Sequence, residues 1–160
     1  MAKRGRSLVP YFIVVAVLLA ADQISKAWAL GALTPFQGVP FIGDVLKLYL
    51  VWNDSAAFSI GFGATWIFTI ISSLAAIAII WSLFKTRSKS WSLTLSILLA
   101  GVLGNLADRL FRDPGFPGGH VVDFLQLPFG FPVFNVADIC ITSSMTLVVI
   151  HIMRGNKIWA

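Results

Sequence analysis

Four apolar runs, each close to the roughly 20 residues a helix needs to cross the hydrocarbon core of a bilayer, leave this chain few ways to fold. They are Leu8 to about Leu30, Ala64–Phe84, Trp91 to about Leu110, and about Asn135–Met153. Inside a bilayer every backbone N–H and C=O must find its partner within the protein, so runs of this length are expected as spanning helices. Composition points the same way, since 58% apolar and only 12% charged residues take the chain out of the ordinary soluble class. At 160 residues there is room for one integral membrane domain, 1–160.

Lys and Arg predict how the helices run. Lys3, Arg4 and Arg6 precede the first run, Lys85, Arg87 and Lys89 join the second to the third, and Arg154 and Lys157 follow the fourth. Eight of the twelve basic residues therefore fall on one side, which the positive-inside rule makes the cytoplasm. Both termini are then cytoplasmic, and the long connections, about Gly31–Gly63 and Phe111–Phe134, lie outside. The net charge of +5 is explained by this topology and by contact with anionic lipid, not by nucleic acid. A basic stretch followed by apolar residues and Leu19-Ala20-Ala21 also resembles a cleavable signal peptide. Because the run passes directly into polar residues, we read it as a retained first helix.

The outer connections carry strand signals. Leu48-Tyr49-Leu50-Val51-Trp52 and Phe58-Ser59-Ile60 lean to β structure, with the turn-like Asn53-Asp54-Ser55 between them. Asp113-Pro114-Gly115-Phe116-Pro117-Gly118-Gly119 is a breaker-rich loop, and Val121–Leu127 reads as a short strand. The expected fold is an all-α membrane protein of four transmembrane helices with a small extracytoplasmic sheet.

All seven acidic residues are Asp, and those at membrane depth need a reason to be there. Asp22 and Lys26 are four residues apart and can meet on one helical face, either as a neutralising ion pair or to position a substrate backbone or head group. Asn105 and Asp108 share another face, and the adjacent Arg109 predicts that Asp108 stays ionised as a structural acid. Asp123 has only apolar neighbours in sequence, Val122 and Phe124, so desolvation should raise its pKa. Asp138 lies one turn into the fourth helix behind Asn135, a credible N-cap, and could simply complement the helix dipole. Taken as a pair, Asp123 and Asp138 could share one proton, one activating a water and the other protonating the amide being cleaved. That is the chemistry of an aspartic peptidase.

No metal or other cofactor is expected, because no Cys/His cluster has ligand spacing and His120 and His151 are far apart. The single Cys140 reads as a small core residue. Two other classes remain conceivable: a lipid-phosphate enzyme holding Mg²⁺ among Asp, Asn and Arg, and a proton-coupled carrier using the Asp residues as a relay.

Five motifs in order resemble the type II, or lipoprotein, signal peptidases of bacteria: Asp22-Gln23-Ile24-Ser25-Lys26; Asn53 followed by Ala56-Ala57-Phe58-Ser59; Gly104-Asn105-Leu106-Ala107-Asp108-Arg109; Val121-Val122-Asp123-Phe124; and Phe134-Asn135-Val136-Ala137-Asp138. The resemblance covers nearly the whole chain. It implies an inner-membrane aspartic endopeptidase that removes the signal peptide from lipid-modified prolipoproteins, cutting before a cysteine that carries diacylglycerol. A monomer among membrane lipids is the expected state. Asp123 and Asp138 would be the catalytic pair. Asn53, Asn105, Asp108, Arg109 and Asn135 would bind substrate or support the pair, with Asp22 and Lys26 shaping the site. The resemblance also implies that part of the first outer connection forms a β-rich cradle on the membrane. Where the family usually has Gly, this chain has Ser55, and its loop from Phe111 to Gly119 is comparatively long.

Overall fold

The computed structural model describes residues 7–54 and 65–159. Ser55, the Ala56-Ala57-Phe58-Ser59 motif, the strand expected at Phe58-Ser59-Ile60, and Lys3, Arg4 and Arg6 lie outside the described residues.

Each apolar run is one helix: α1 (Val9–Ala32), α2 (Thr65–Lys85), α3 (Lys89–Phe111) and α4 (Val136–Met153). All four are long and apolar enough to cross a membrane, and their ends fall within about two residues of the sequence reading, the usual uncertainty of a helix terminus. Local chemistry sets several of these ends. Pro10 stands in the first turn of α1, where a missing N–H costs nothing. Ser88 caps α3 by accepting from the Trp91 N–H, and Asn135 and Asp138 form a reciprocal capping box on α4.

α3 is the central helix. It packs against α1, α2 and α4 and is mostly buried, whereas the other three turn most of their surface outward. Val15, Ala76, Ile79, Leu83, Leu95, Leu99 and Ala100 make the core between α1, α2 and α3. On the α4 side small residues allow a closer approach. A Cβ on Gly101 would lie 2.6 Å from the Ala137 carbonyl oxygen, and one on Gly104 would lie 2.6 Å from Asp22 Oδ2. Both glycines are therefore required for three helices to meet where the polar residues lie.

At that end sits an antiparallel sheet of order β1-β2-β3, made of β1 (Gly38–Ile42), β2 (Leu46–Asn53) and β3 (Val121–Gln126). β2 and β3 match the expected strands. β1 was not foreseen. Its residues are all exposed, and it contains Pro40, which an edge strand tolerates because one of its edges needs no donor. Leu48, Leu50, Val122 and Phe124 pack with Ala29 of α1, which seats the sheet on the bundle. Side chains alternate along a strand, so Val122 and Phe124 in that core turn Asp123 to the opposite face.

Candidate active site

Val51 pairs with Asp123 in the β2–β3 register, and Asn53 pairs with Val121. Diagonal neighbours across two strands are within reach of each other, and Asn53 Nδ2 donates to Asp123 Oδ2 at 3.0 Å. Beyond β3 the chain folds back so that Phe134 exchanges backbone hydrogen bonds with Leu125, at 2.9 Å each way. The residue that begins the turn into α4 is thereby fastened close to Asp123. The next residue, Asn135, links both carboxylates. Its Nδ2 donates to Asp123 Oδ1 at 2.6 Å, its backbone N–H donates to Asp138 Oδ2 at 3.1 Å, and its Oδ1 accepts from the Asp138 N–H at 2.9 Å. Asn105 of α3 completes the set, with Nδ2 donating to Asp138 Oδ1 at 2.8 Å and Oδ1 accepting from Asn135 Nδ2 at 3.1 Å. Three asparagines thus aim amide donors at two aspartates.

Asp123 is buried while Asp138 is only partly so. Burial pushes the Asp123 carboxyl up to about 6, and the nearby charge of Asp138 adds to the rise, against the lowering effect of the Asn53 and Asn135 donors. Beside Asp138 lies an apolar groove of about 350 Å³, walled by Leu127, Phe131, Phe134 and Ile139, with Asp138 itself in the wall.

Behind the pair is a buried ionic frame. Lys26 Nζ lies 2.9 Å from Asp22 Oδ2 and 2.8 Å from Asp108 Oδ2, and donates to Asn105 Oδ1 at 3.1 Å. Each frame carboxylate also holds the peptide just ahead of one site aspartate. Asp22 Oδ1 accepts the Ala137 N–H at 2.8 Å, and Asp108 Oδ2 accepts the Val122 N–H at 3.1 Å. Asp22 and Lys26 do form the expected pair, but it is fully buried, so they act on the site through other groups.

One expected pairing is replaced. Asp108 does not take Arg109 as its partner: it is bound by Lys26 and by Arg112, whose Nε is 2.7 Å from Asp108 Oδ1. Neighbours in a helix point about 100° apart, whereas residues four apart share a face. Arg109 instead donates through Nη1 to the Asn105 carbonyl at 3.3 Å and stacks over Phe68 at 5.8 Å, while the charges of Asp108, Asp138 and Asp123 act on its guanidinium without a direct ion pair. The sequence reading missed Arg112 and gave Gln23 no role. The Asp108/Arg112 spacing, the same as that of Asp22/Lys26, was the available signal. Among the described residues no three His, Cys, Asp or Glu side chains are grouped to hold a metal.

Four membrane-capable helices that bury an ionic frame and hold two aspartates with asparagine amides beside an apolar groove define the class as a multi-helix membrane protein with a buried polar site. Known proteins make the definition sharper. Residues 14–154 match the family described as Signal peptidase (SPase) II. A lipoprotein signal peptidase of Leifsonia xyli is 44% identical over 149 residues, 93% of this chain and 69% of that protein. One from Mycobacterium avium is 43% identical over 142 residues, covering 89% and 78%. A solved bacterial membrane enzyme superposes with a TM-score of 0.82 at 26% identity, over 91% of this chain and 93% of that one. The chain belongs to the signal peptidase II family.

Proposed function

We propose that the protein is an aspartic endopeptidase that removes signal peptides from diacylglyceryl-modified prolipoproteins, cleaving just before the lipidated cysteine. The observation that carries this reading is the asparagine-held pair of Asp123 and Asp138 beside a lipid-compatible groove. Family membership supports the protease class. Two carboxylates held near each other titrate as a unit and can retain one proton between them. With a precursor bound, the ionised member takes a proton from water as the water oxygen attacks the scissile carbonyl. The protonated member hydrogen-bonds that carbonyl, and a proton passes to the departing amine as the C–N bond breaks. Products are the free signal peptide and a lipoprotein with a new amino terminus.

In this reading Asn53, Asn105 and Asn135 fix the two carboxylates, and Asp22, Lys26 and Asp108 hold the backbone on which those carboxylates stand. Arg109 places a positive charge near developing negative charge on the substrate. The apolar groove at Asp138 supports a substrate whose cleavage point lies at the membrane surface. Lys26 is committed to two carboxylates and Asn105, which leaves little cationic surface for the phosphate chemistry of the alternative enzyme class.

We further propose that the protein works as a monomer in the bacterial cytoplasmic membrane, with both termini inside and the site on the extracytoplasmic face. The exposed apolar residues of β1 and of the turn after it, Val39, Phe41, Ile42 and Val45, support a cradle resting on lipid. Reporters fused after Gly118 and after Lys89 test the orientation: the first should read as extracytoplasmic and the second as cytoplasmic, and the reverse would refute it. The activity is tested by incubating the purified protein with a diacylglyceryl-modified precursor. Released signal peptide is expected, also in the presence of chelator. No cleavage, or cleavage that chelator abolishes and a divalent ion restores, would overturn the proposal.

A further inference from the structure

Taking Asp123 and Asp138 as the reacting pair, we propose that Arg112, braced by Gln23, is a positioning residue that neutralises the buried frame and so sets the geometry and proton affinity of both aspartates. The frame is unbalanced without it, since Asp22 and Asp108 bring two negative charges and Lys26 one positive. Lys26 cannot do more. An ammonium has three donors, and Asp22, Asp108 and Asn105 already supply three acceptors.

Arg112 supplies the second positive charge. Its Nε is 2.7 Å from Asp108 Oδ1, and its Nη2 donates to Gln23 Oε1 at 3.4 Å. Gln23 Nε2 in turn lies within donating distance of Asp22 Oδ2 at 3.0 Å, Asp108 Oδ1 at 3.1 Å and the Gly104 carbonyl at 3.1 Å. Arg112 and Gln23 therefore close a ring of contacts around both frame carboxylates. Arg112 sits at the C-cap of α3 with 22% of its side chain exposed, so it reaches the frame from the surface.

The consequence passes to the site by two routes. Asp108 Oδ1 is held by Arg112, which keeps Oδ2 on the Val122 N–H, one residue before Asp123. Lys26 from α1 acts on Asp123 and Arg109 from α3 interacts with both aspartates, while Asp22 from α1 and Asp108 and Arg112 from α3 make up the rest of the charged frame behind them. Removing Arg112 leaves the frame itself at net negative charge and makes the pair harder to ionise. A substitution that only loosened the fold would lower activity without moving its pH profile.

The test measures steady-state cleavage of a diacylglyceryl-modified precursor against pH, using the full-length protein in lipid. Arg112→Gln is expected to lower kcat about tenfold with KM nearly unchanged. It should also move both limbs of the pH profile upward by about half a unit, a modest shift because a partly exposed charge is screened. Arg112→Lys keeps the charge and should restore the profile and most of kcat. Gln23→Leu leaves every charge in place and should lower kcat about threefold with the limbs unmoved. A parental pH profile in folded Arg112→Gln, or a change confined to KM, would overturn the proposal. Should Arg112→Gln not fold, Gln23→Leu decides by itself, and a parental kcat there would contradict the bracing role. Asp123→Asn measured alongside separates the two levels. If it cleaves, the dyad reading fails. If it is inert while Arg112→Gln keeps the parental profile, only the positioning role fails.

Discussion

At the sheet-bearing end of the bundle the buried polar groups include ions, with Asp22, Lys26 and Asp108 held between α1 and α3 beside Asn105 and Asn135. At the opposite end the helices are joined by groups that need carry no charge. His151 Nε2 lies 3.1 Å from Ser90 Oγ and 3.2 Å from Thr94 Oγ1, its ring stacks on Trp91 at 4.6 Å, and Trp91 Nε1 donates to the Asn156 carbonyl at 3.2 Å. The second cluster joins α3 to α4 and to the C-terminal turn without an ion pair. Polar contacts between these helices therefore do not require buried ions. Taking charges out of water costs several kcal/mol per ion before pairing repays it, so a frame of ions that occurs, among the described residues, at one end only points to a task beyond registration. That task is holding the peptides that precede Asp123 and Asp138.

If so, damage at the two ends should differ in kind. The largest effect is expected from Lys26→Met, which strands two buried carboxylates and should cost about 3–5 kcal/mol. Melting in detergent and cleavage should both collapse, and a variant that melts like the parent would remove the frame's structural role. Gly104→Ala should come next, because its methyl would press on Asp22 at a site with no room, at a cost of about 1–3 kcal/mol. Lower melting together with lower kcat is the expected reading, and loss of stability alone would separate the frame from the site.

Smaller again is a pH effect. With the Asp123 carboxyl raised to about 6, the singly protonated pair should be depleted above that pH. The alkaline limb of kcat/KM, which reports the free enzyme, should then fall about tenfold per unit above roughly 6, and the limb of kcat, reporting the water-poor complex, should lie higher. Stability follows the same sign. A raised carboxyl means that the folded state binds the proton more tightly, so the contribution of Asp123 is present in acid and lost as pH rises through about 6. Parent melting should therefore decline relative to Asp123→Asn across that range, and a constant difference would contradict the burial of a titrating group. The smallest effect is expected at the far end. Ser90→Ala removes one of two hydroxyl partners of His151 and should cost about 1 kcal/mol or less, with kcat and its pH profile as in the parent. A lost or shifted profile there would mean that the two ends are coupled.

Much of this architecture was legible in the sequence because its causes are local. The four helices follow from apolar length, and the α4 cap follows from Asn135 and Asp138 at the spacing of a capping box. The rise at Asp123 was foreseen from its apolar neighbours, and burial is indeed its first cause. What escaped was set by partners far away in the chain. Nothing near Asp22 in sequence indicates that its carboxylate receives the N–H of Ala137. β1 escaped because Gly38-Val39-Pro40-Phe41-Ile42 is an edge strand with every residue exposed, and its ladder depends on β2 rather than on its own pattern. Arg109 was paired with Asp108 by adjacency, where helical geometry favours Arg112.

The most direct measurement is cleavage of a diacylglyceryl-modified precursor by Asp123→Asn and Asp138→Asn, each purified and compared with the parent for melting in detergent. Asn keeps the shape of Asp and removes the titrating site, and neither side chain carries the ionic frame. Both variants should insert and still melt cooperatively, at a lower temperature because one oxygen that accepts an asparagine or backbone donor becomes an N–H₂ group, while releasing no signal peptide. Substantial release by Asp123→Asn would contradict the paired-carboxylate site and make Asp108 with Asp138 the pair to test.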